Sequence, residues 1–206
     1  MSNAQKGAAD TETLILLAAE REFIMKGYWG AKTTAIAEAA GVTHAMLHYY
    51  FRTKEKLFEK ILADKMEKLG EIMLGAIAGD GLPLRERIRR GIEHHFDFLA
   101  ANRHLPRFIV NELAEHPERL ESVSGVLQKK GAALLESLQQ ALDREGLAHM
   151  DARMILSDII SLNIFPFVAE PMIRNIVGDV YGGYEAFLQM RREENVKTMF
   201  LKLGLL

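Results

Sequence analysis

The sequence predicts an all-α fold of about nine helices, and two observations support this. Apolar residues recur every three to four positions over most of the 206 residues, which is the period of a helix with one buried face. Runs in which apolar and polar residues alternate, the pattern of a half-buried strand, are almost absent. Residues that cap or end helices, mainly Thr, Asp, Gly and Pro, separate the periodic segments and set the order of the elements.

The first predicted helix begins after Asp10, a residue type that caps helix N-termini, and ends at Lys26-Gly27. Residues 1–8 contain a Ser-Asn-Ala stretch that resembles an expression remnant, and we expect them to form a disordered tail. The apolar stripe of this helix consists of Leu14, Leu17, Ala18 and Phe23.

Two short helices come next. Thr33 or Thr34 can cap the first, which ends at Gly41, and Thr43 can cap the second, which runs to Phe51. Because only three or four residues connect these helices, they cannot pack antiparallel side by side and must cross steeply. The spacing therefore predicts a helix-turn-helix.

A long fourth helix is predicted from Thr53 to the Gly79-Asp80-Gly81 break. Pro166 and Pro171 lie inside a later predicted helix, where they would kink it and free backbone carbonyls, which is one way to open a cavity. The helices beyond Pro83 are predicted near residues 84–101, 105–115, 118–145, 151–177 and 183–204. We expect a DNA-binding domain over residues 9–55 and a second helical domain over 56–206.

Composition excludes several classes of protein. Lys and Arg number 26 against 28 for Asp and Glu, so the net charge of -2 gives no argument for nucleic acid, although phosphate contact depends on where cations lie locally. Cysteine is absent, which removes disulfides, thiolate zinc sites and Cys nucleophiles. Neither an apolar signal-peptide core nor a run of roughly 18 apolar residues is present, so we expect a cytoplasmic protein.

Catalytic and metal-binding motifs are lacking or incomplete. The sequence has no Gly-rich phosphate loop, nucleophile elbow or paired-carboxylate motif. His94 and His95 are adjacent and project about 100° apart on a helix, so they cannot easily share an ion. Glu112 and His116 are spaced i, i+4 and could chelate, but a third ligand is missing. We therefore predict no enzymatic activity, no metal and no cofactor.

The second short helix has the side chains that a major-groove reading helix needs, with a buried inner face and a small or polar outer face. Its first turn would lie nearest the base edges, while Thr33, Thr34, Tyr49 and Lys54 could bind phosphates. The alternative is that the threonines only cap helices and the tyrosines belong to the core. The predicted DNA-binding residues are Thr33, Thr34, Thr43, His44, Ala45, Met46, His48, Tyr49 and Lys54.

This region resembles the signature of the TetR family of transcriptional regulators. The resemblance rests on Gly27-Tyr28, on the run from Thr33 to Thr43 and on the run from Leu47 to Leu57. It covers about the first 60 residues. Ala45 stands where the family usually has Gly, and His48 where it usually has Tyr. The imidazole of His48 is shorter than a phenol, which bears on whether it reaches the same phosphate.

The resemblance implies a homodimer that binds a palindromic DNA operator and is released when a small-molecule effector binds the second domain. Repression is the implied activity. The last two long helices would pair with those of a second chain as a four-helix bundle, and residues 152–168 are apolar on more than one face, as that requires. A second apolar stripe consists of Leu188, Val196, Met199, Phe200 and Leu203.

A mostly apolar set of side chains in the second domain is the candidate effector site, which suggests a largely apolar effector. Ordinary core packing is the alternative at each position. The set consists of Phe96, His104, Phe108, Asn111, Asn163 and Phe167.

A second hypothesis belongs to a different class of protein. The chain could be a helical small-molecule-binding or scaffold protein whose DNA-binding head is degenerate, since Ala45 and His48 depart from the family pattern and local positive charge is sparse. Salt-dependent DNA binding separates the two hypotheses.

Overall fold

A computed structural model describes residues 3–78, 81–117 and 120–206, with side chains described over 10–78, 81–117 and 128–206. These residues form ten helices and no strand, which confirms the all-α fold. The helices are α1 (Asn3–Gly30), α2 (Thr33–Ala39), α3 (His44–Tyr50), α4 (Lys54–Ile77), α5 (Leu84–Ala101), α6 (Leu105–Glu115), α7 (Leu120–Arg144), α8 (Ala152–Val168), α9 (Glu170–Val177) and α10 (Tyr184–Leu203).

The chain divides into two compact units. The first comprises residues 1–66 and 111–123, and the second comprises 67–110 and 124–206. The first unit therefore holds more of the chain than the segment 9–55 expected to bind DNA, because the end of α6 and the start of α7 belong to it.

The beginning of α1 differs from the expectation. Residues 3–9 are helical rather than disordered, because alanine, glutamine and lysine dominate this stretch and favour helix. Residues 1 and 2 of the expected tail lie outside the described residues. At Gly27 the helix breaks, with φ 68° and ψ 173°, at the position where the sequence predicted its end.

The buried face of α1 was only partly predicted. Ala18 and Phe23 are buried as expected, but Leu14 and Leu17 are each 50% exposed, and Ile15 and Ala19 are buried in their place. The stripe is therefore rotated by about one residue. Together with side chains of the next three helices it forms the core of the first unit, which contains Ile15, Ala19, Phe23, Ile36, Leu47, Phe51, Leu57, Phe58 and Ile61.

In the second unit, one large core joins the end of α4 with α5, α7, α8 and α10. Ile88 and Ile92 of α5, Leu138 and Leu142 of α7, and Ile159 of α8 are its fully buried centre. The stripe on α10 that was considered for a partner chain is buried in this core and a neighbouring one, so that part of the expectation is wrong. The residues concerned are Leu188, Val196, Met199, Phe200 and Leu203.

The helix expected over 151–177 is two helices, bent by 78° between α8 and α9. Pro171 lies in the first turn of α9, and because proline has no N–H and disfavours a helical residue before it, α8 cannot continue through this point. Among the described residues no single helix is long and apolar enough to cross a membrane; only α8 and α9 taken together, across their bend, meet that condition. The expected break at 79–80 and the expected start of a helix at 118 lie outside the described residues.

Side chains of α10 satisfy two carbonyls near the prolines. Pro166 has no N–H for the carbonyl of Leu162, four residues earlier, and the Asn195 amide donates to that carbonyl at 3.1 Å. The carbonyl of Pro166, close to the break, accepts a hydrogen bond of 2.7 Å from the Tyr184 hydroxyl. The kink is therefore compensated by hydrogen bonds from a neighbouring helix.

Candidate nucleic-acid interface and effector cavity

The turn between α2 and α3 is built from backbone hydrogen bonds that only a glycine permits without strain. Gly41 has φ 68°; its N–H donates to Glu38 O, and the Val42 N–H donates to Ala37 O, both at 3.0 Å. This is the Schellman arrangement that ends a helix. The next residue, Thr43, is the N-cap of α3, and its hydroxyl accepts from the Met46 N–H at 3.2 Å.

The two faces of α3 differ as a reading helix requires. Leu47 is fully buried, and Phe51, which follows the helix, is 7% exposed. The side chains on the opposite face are open to solvent: Tyr49 is 75% exposed and Met46 is 41% exposed. The exposed outer face of α3 consists of Thr43, His44, Ala45, Met46, His48 and Tyr49.

A polar contact joins the starts of the two short helices. Thr33 Oγ1 lies 3.0 Å from His44 Nε2, and the rings of His44 and His48 meet edge to face with centroids 4.6 Å apart. Thr33 therefore positions His44 from the first residue of α2. Neither Thr33 nor Thr34 caps α2, because the N-cap position belongs to Lys32, whose side chain makes no capping bond.

The contact between His48 and the backbone of Arg52 favours one tautomer of the imidazole ring. Nδ1 lies 3.2 Å from the carbonyl oxygen of Arg52, and because a carbonyl only accepts, Nδ1 must donate. In the neutral imidazole, Nε2 is then an acceptor. Such a nitrogen suits an amino group on a base edge, whereas a phosphate oxygen needs a donor.

Lys54 holds the chain that precedes the helix-turn-helix. Its ammonium donates to the Ala31 carbonyl at 3.0 Å and lies 4.6 Å from the centre of the Tyr28 ring. The side chain is half-buried. Lys54, which the sequence predicts to bind phosphate, therefore also anchors α4 to the segment that follows Gly27.

The end of α6 contacts this same segment, which the sequence did not predict. The Tyr28 N–H donates to the Glu112 carboxylate at 3.2 Å, and the Trp29 indole N–H donates to His116 Nε2 at 3.2 Å. Glu112 and His116, whose spacing in the sequence would allow chelation, therefore make structural hydrogen bonds to this segment. Within the described part of the chain, no group of three His, Cys, Asp or Glu residues could hold a metal ion.

The residues predicted to bind an effector separate into several places. Phe96, Phe108 and Phe167 lie in one apolar cluster with Leu99, Leu105 and Tyr184, and the rings of Phe96 and Phe167 meet at 5.3 Å. His104 is exposed. Asn111 is also exposed and belongs to the first unit, so it is not grouped with the others.

Asn163 belongs to a buried polar cluster instead. It is fully buried; its amide donates to the Ile92 carbonyl at 2.9 Å and lies 3.3 Å from His95 Nδ1, while its oxygen accepts from Asn195 at 2.9 Å. Burial lowers the pKa of His95 from 6.5 to about 4. The histidine is therefore neutral at pH 7, and the cluster joins α5, α8 and α10 by hydrogen bonds rather than by ion pairs.

A cavity of about 260 Å³ lies beside the bend between α8 and α9. Only His104 and Phe167 of the predicted effector residues line it. The sequence prediction missed its charged walls, because the arginines concerned are far apart in the chain and carry no local motif. The lining residues are Arg103, His104, Arg107, Phe167, Glu170, Pro171 and Arg174.

The Gly-centred helix-turn-helix, the exposed outer face of α3 and the second helical unit with its cavity form the architecture of helix-turn-helix DNA-binding regulators. Residues 15–61 match the family model described as "Bacterial regulatory proteins, tetR family".

Relatives agree with that match. The activator FasR and the regulator EthR, both of Mycolicibacterium smegmatis, are each 26% identical to the chain; the alignments cover 73% and 79% of it, and 67% and 74% of the respective relatives. The structure of FadR from Bacillus subtilis in complex with stearoyl-CoA shares the fold, with a TM-score of 0.66 at 22% identity over 89% of this chain and 97% of FadR. The chain is therefore similar to TetR-family regulators in its helix-turn-helix region and in its fold.

Proposed function

We propose that the protein is a homodimeric repressor that binds a palindromic operator through α3 and releases it when a small molecule binds the second unit. The observation that carries this proposal is the outer face of α3, where six consecutive or near-consecutive side chains are exposed around the buried Leu47. An exposed face on a helix of this kind has the shape and chemistry to enter a major groove. Such a regulator acts in the cytoplasm.

The contacts divide into base reading and phosphate binding. In this proposal Thr43, His44, Ala45 and Met46 meet base edges from the first turn of α3, and His48 presents an acceptor to a base amino group. Thr33, Thr34, Tyr49 and Lys54 bind phosphates. Three exposed cations absent from the sequence prediction extend the phosphate contacts: Lys32, Arg52 and Lys56.

Exposed apolar side chains on α8 support dimerisation. Met154 and Phe165 are 61% and 50% exposed, and because eleven residues separate them, about three turns, they lie on one face of the helix. A homodimer formed through this face would carry two copies of α3, as a palindromic operator with two half-sites requires.

The position of α6 supports release by an effector. The cavity includes Arg107 in the first turn of α6 and His104 just before it, while Glu112, near the end of the same helix, hydrogen-bonds the backbone of Tyr28. A ligand that shifts α6 would strain this hydrogen bond and so bias the DNA-binding head. FadR from Bacillus subtilis forms a complex with stearoyl-CoA, which supports a small-molecule effector here.

The first test is a titration of the purified protein against the DNA flanking its own gene at two salt concentrations. We expect saturable binding that weakens steeply as salt rises. His44→Ala should weaken it by about tenfold to a hundredfold, because a base contact is lost, and Lys32→Gln should lower the salt slope by about one. Arg144→Gln, an exposed change in the second unit, is the matched control and should bind as the wild type does.

Two outcomes would contradict the proposal. Binding that His44→Ala leaves intact would place the reading surface elsewhere. No salt-sensitive binding to any fragment of a genomic library would favour the alternative, a helical small-molecule-binding or scaffold protein with a degenerate DNA-binding head. Because FasR is named as an activator, a reporter assay with and without the protein tests whether it represses.

A further inference from the structure

The cavity beside the α8–α9 bend carries an excess of positive charge. Three arginines line it, Arg103, Arg107 and Arg174, together with the carboxylate of Glu170. Glu185 pairs with Arg103 at 2.7 Å and with Arg174 at 3.9 Å, which leaves an excess of one positive charge. Glu170 accepts a hydrogen bond from Arg174 Nε at 2.8 Å and lies 3.4 Å from Arg103 Nε. It therefore forms ion pairs with two of the three arginines. Since α6 and α9 both contribute first-turn residues to the walls, their dipoles add partial positive charge.

Arg103 is held by two carboxylates at the wall of the cavity. Its Nη2 lies 2.7 Å from a Glu185 oxygen and its Nε lies 3.4 Å from a Glu170 oxygen, although neither contact is well aligned for a hydrogen bond. Poorly aligned contacts leave part of the desolvation cost of buried guanidinium N–H groups uncompensated. A planar anion that repositions this guanidinium would supply better-aligned acceptors.

Arg107 is the cation best placed to receive a ligand. It is exposed, and no ion pair joins it to any side chain that the structure describes. Arg103 and Arg174, in contrast, lie against the ring of Tyr184, at 5.0 and 4.2 Å from its centre, and are fixed there. The cavity therefore combines a preorganised pair of arginines with one arginine that is free to close on an anion.

The floor of the cavity is apolar. Phe167 is 1% exposed and belongs to the cluster that also contains Phe96 and the partly buried Phe108. About 260 Å³ is enough for a head group and the first part of a chain, at the lower limit of ligand pockets.

We propose that this cavity binds the carboxylate or phosphate head of an amphipathic anion, with Arg103 and Arg107 as its ligands and Phe167 in contact with the hydrocarbon. This inference rests on the proposed effector response and replaces the largely apolar effector expected from the sequence with an anionic one. Carboxylate and phosphate share the chemistry that arginine recognises, namely two oxygens in one plane.

The test measures ligand binding without DNA, by isothermal titration calorimetry on the full chain. The probes are octanoate, octyl phosphate, 1-octanol and inorganic phosphate, each below its micellar concentration where it has one. We expect octanoate, octyl phosphate or both to bind more tightly than 1-octanol and inorganic phosphate, and the preferred head group identifies the source. Arg107→Gln should weaken that binding about tenfold or more, while Arg144→Gln should leave it within twofold.

Equal affinity for octanoate and 1-octanol would overturn the anionic assignment, and equal affinity for octyl phosphate and inorganic phosphate would overturn the amphipathic one. Full binding by Arg107→Gln would move the site elsewhere. Circular dichroism of each variant checks that it is folded; Arg107 is exposed, so its substitution should be tolerated. Operator binding is measured on the same preparations, so a wild-type protein that binds its operator but none of the anionic probes counts against this inference alone.

Discussion

His95 is a histidine held neutral inside the second unit. It is 3% exposed, and its Nδ1 faces the Asn163 amide. Because burial lowers the pKa of His95 from 6.5 to about 4, this histidine stays neutral in the folded protein at pH values where the unfolded chain is protonated. His95, whose sequence position beside His94 indicated no site, is therefore a source of pH-dependent stability.

Above pH 6.5, His95 should add no pH dependence to the free energy of unfolding. As the pH drops from 6.5 towards 4, we expect the free energy of unfolding to fall by up to about 3 kcal/mol because of this residue. The sign follows because only the unfolded chain is protonated in that range. Urea denaturation at several pH values measures it. His95→Gln should flatten the slope between pH 6.5 and 5, whereas His149→Gln, an exposed change, should not; equal slopes in all three proteins would contradict this assignment.

Tyr184 also contributes to stability, because its hydroxyl donates a hydrogen bond to the backbone carbonyl of the buried Pro166. Burial, together with the nearby carboxylate of Glu170, raises the pKa of Tyr184 to about 12, although Arg103 and Arg174 oppose this. The hydroxyl therefore stays protonated at neutral pH and remains a donor.

Tyr184→Phe should lower the free energy of unfolding by about 1 to 3 kcal/mol, because it leaves a buried carbonyl without a donor. Urea denaturation checks this, with the half-exposed Tyr181→Phe as control, for which we expect a change within about 0.5 kcal/mol. A Tyr184→Phe protein as stable as the wild type would mean that water or another donor replaces the hydroxyl.

Among the elements, the helix-turn-helix was predictable from sequence because its signals are local. Gly41 needs a positive φ and Thr43 caps α3, and both act on residues within four positions. The bend at Ala169 was predicted only as a kink, since Pro171 blocks the helix but the sequence does not say whether a new helix axis begins. The arginine cavity was not predicted, because tertiary packing alone brings residue 103 close to residue 174.

The α2–α3 turn offers a direct test of that local argument. Gly41→Ala should lower the free energy of unfolding by about 1 to 2 kcal/mol, because alanine is strained at φ 68°, although its added carbon would meet no atom within 4 Å. Gly131→Ala is the matched control, because it lies inside α7, also meets no atom, and lacks a positive φ. The control should be unchanged or stabilised by up to about 1 kcal/mol, and the same sign for both variants would contradict the strain.

For the molecule as a whole, the apolar faces of the helices could be predicted from the sequence, but the apolar side chains that remain exposed on the folded chain could not. The stripe on α10 proved to be core, whereas Met154 and Phe165 of α8 are exposed. Both helices have apolar residues at helical spacing, and only the packing of α5 and α7 around them decides which face is covered.

Phe165→Glu should convert the proposed dimer to monomer, because it places two like charges in an apolar interface. Sedimentation equilibrium at micromolar concentrations should show association weakened by about tenfold or more. Met25→Glu, at a position 79% exposed in the first unit, is the control and should leave association unchanged. A wild-type chain that is monomeric at these concentrations would refute dimerisation through this face.

The contact between Trp29 and His116 also has a spectroscopic consequence. Trp29 is the only tryptophan in the chain, and its indole N–H donates to a residue directly after α6. Indole emission responds to the loss of such a partner and to a change in hydration. Intrinsic fluorescence therefore monitors the surroundings of Trp29 without a label, and a titration with any effector would report in real time whether the contact with the end of α6 changes; a His116→Ala variant shows how much of the signal comes from that contact.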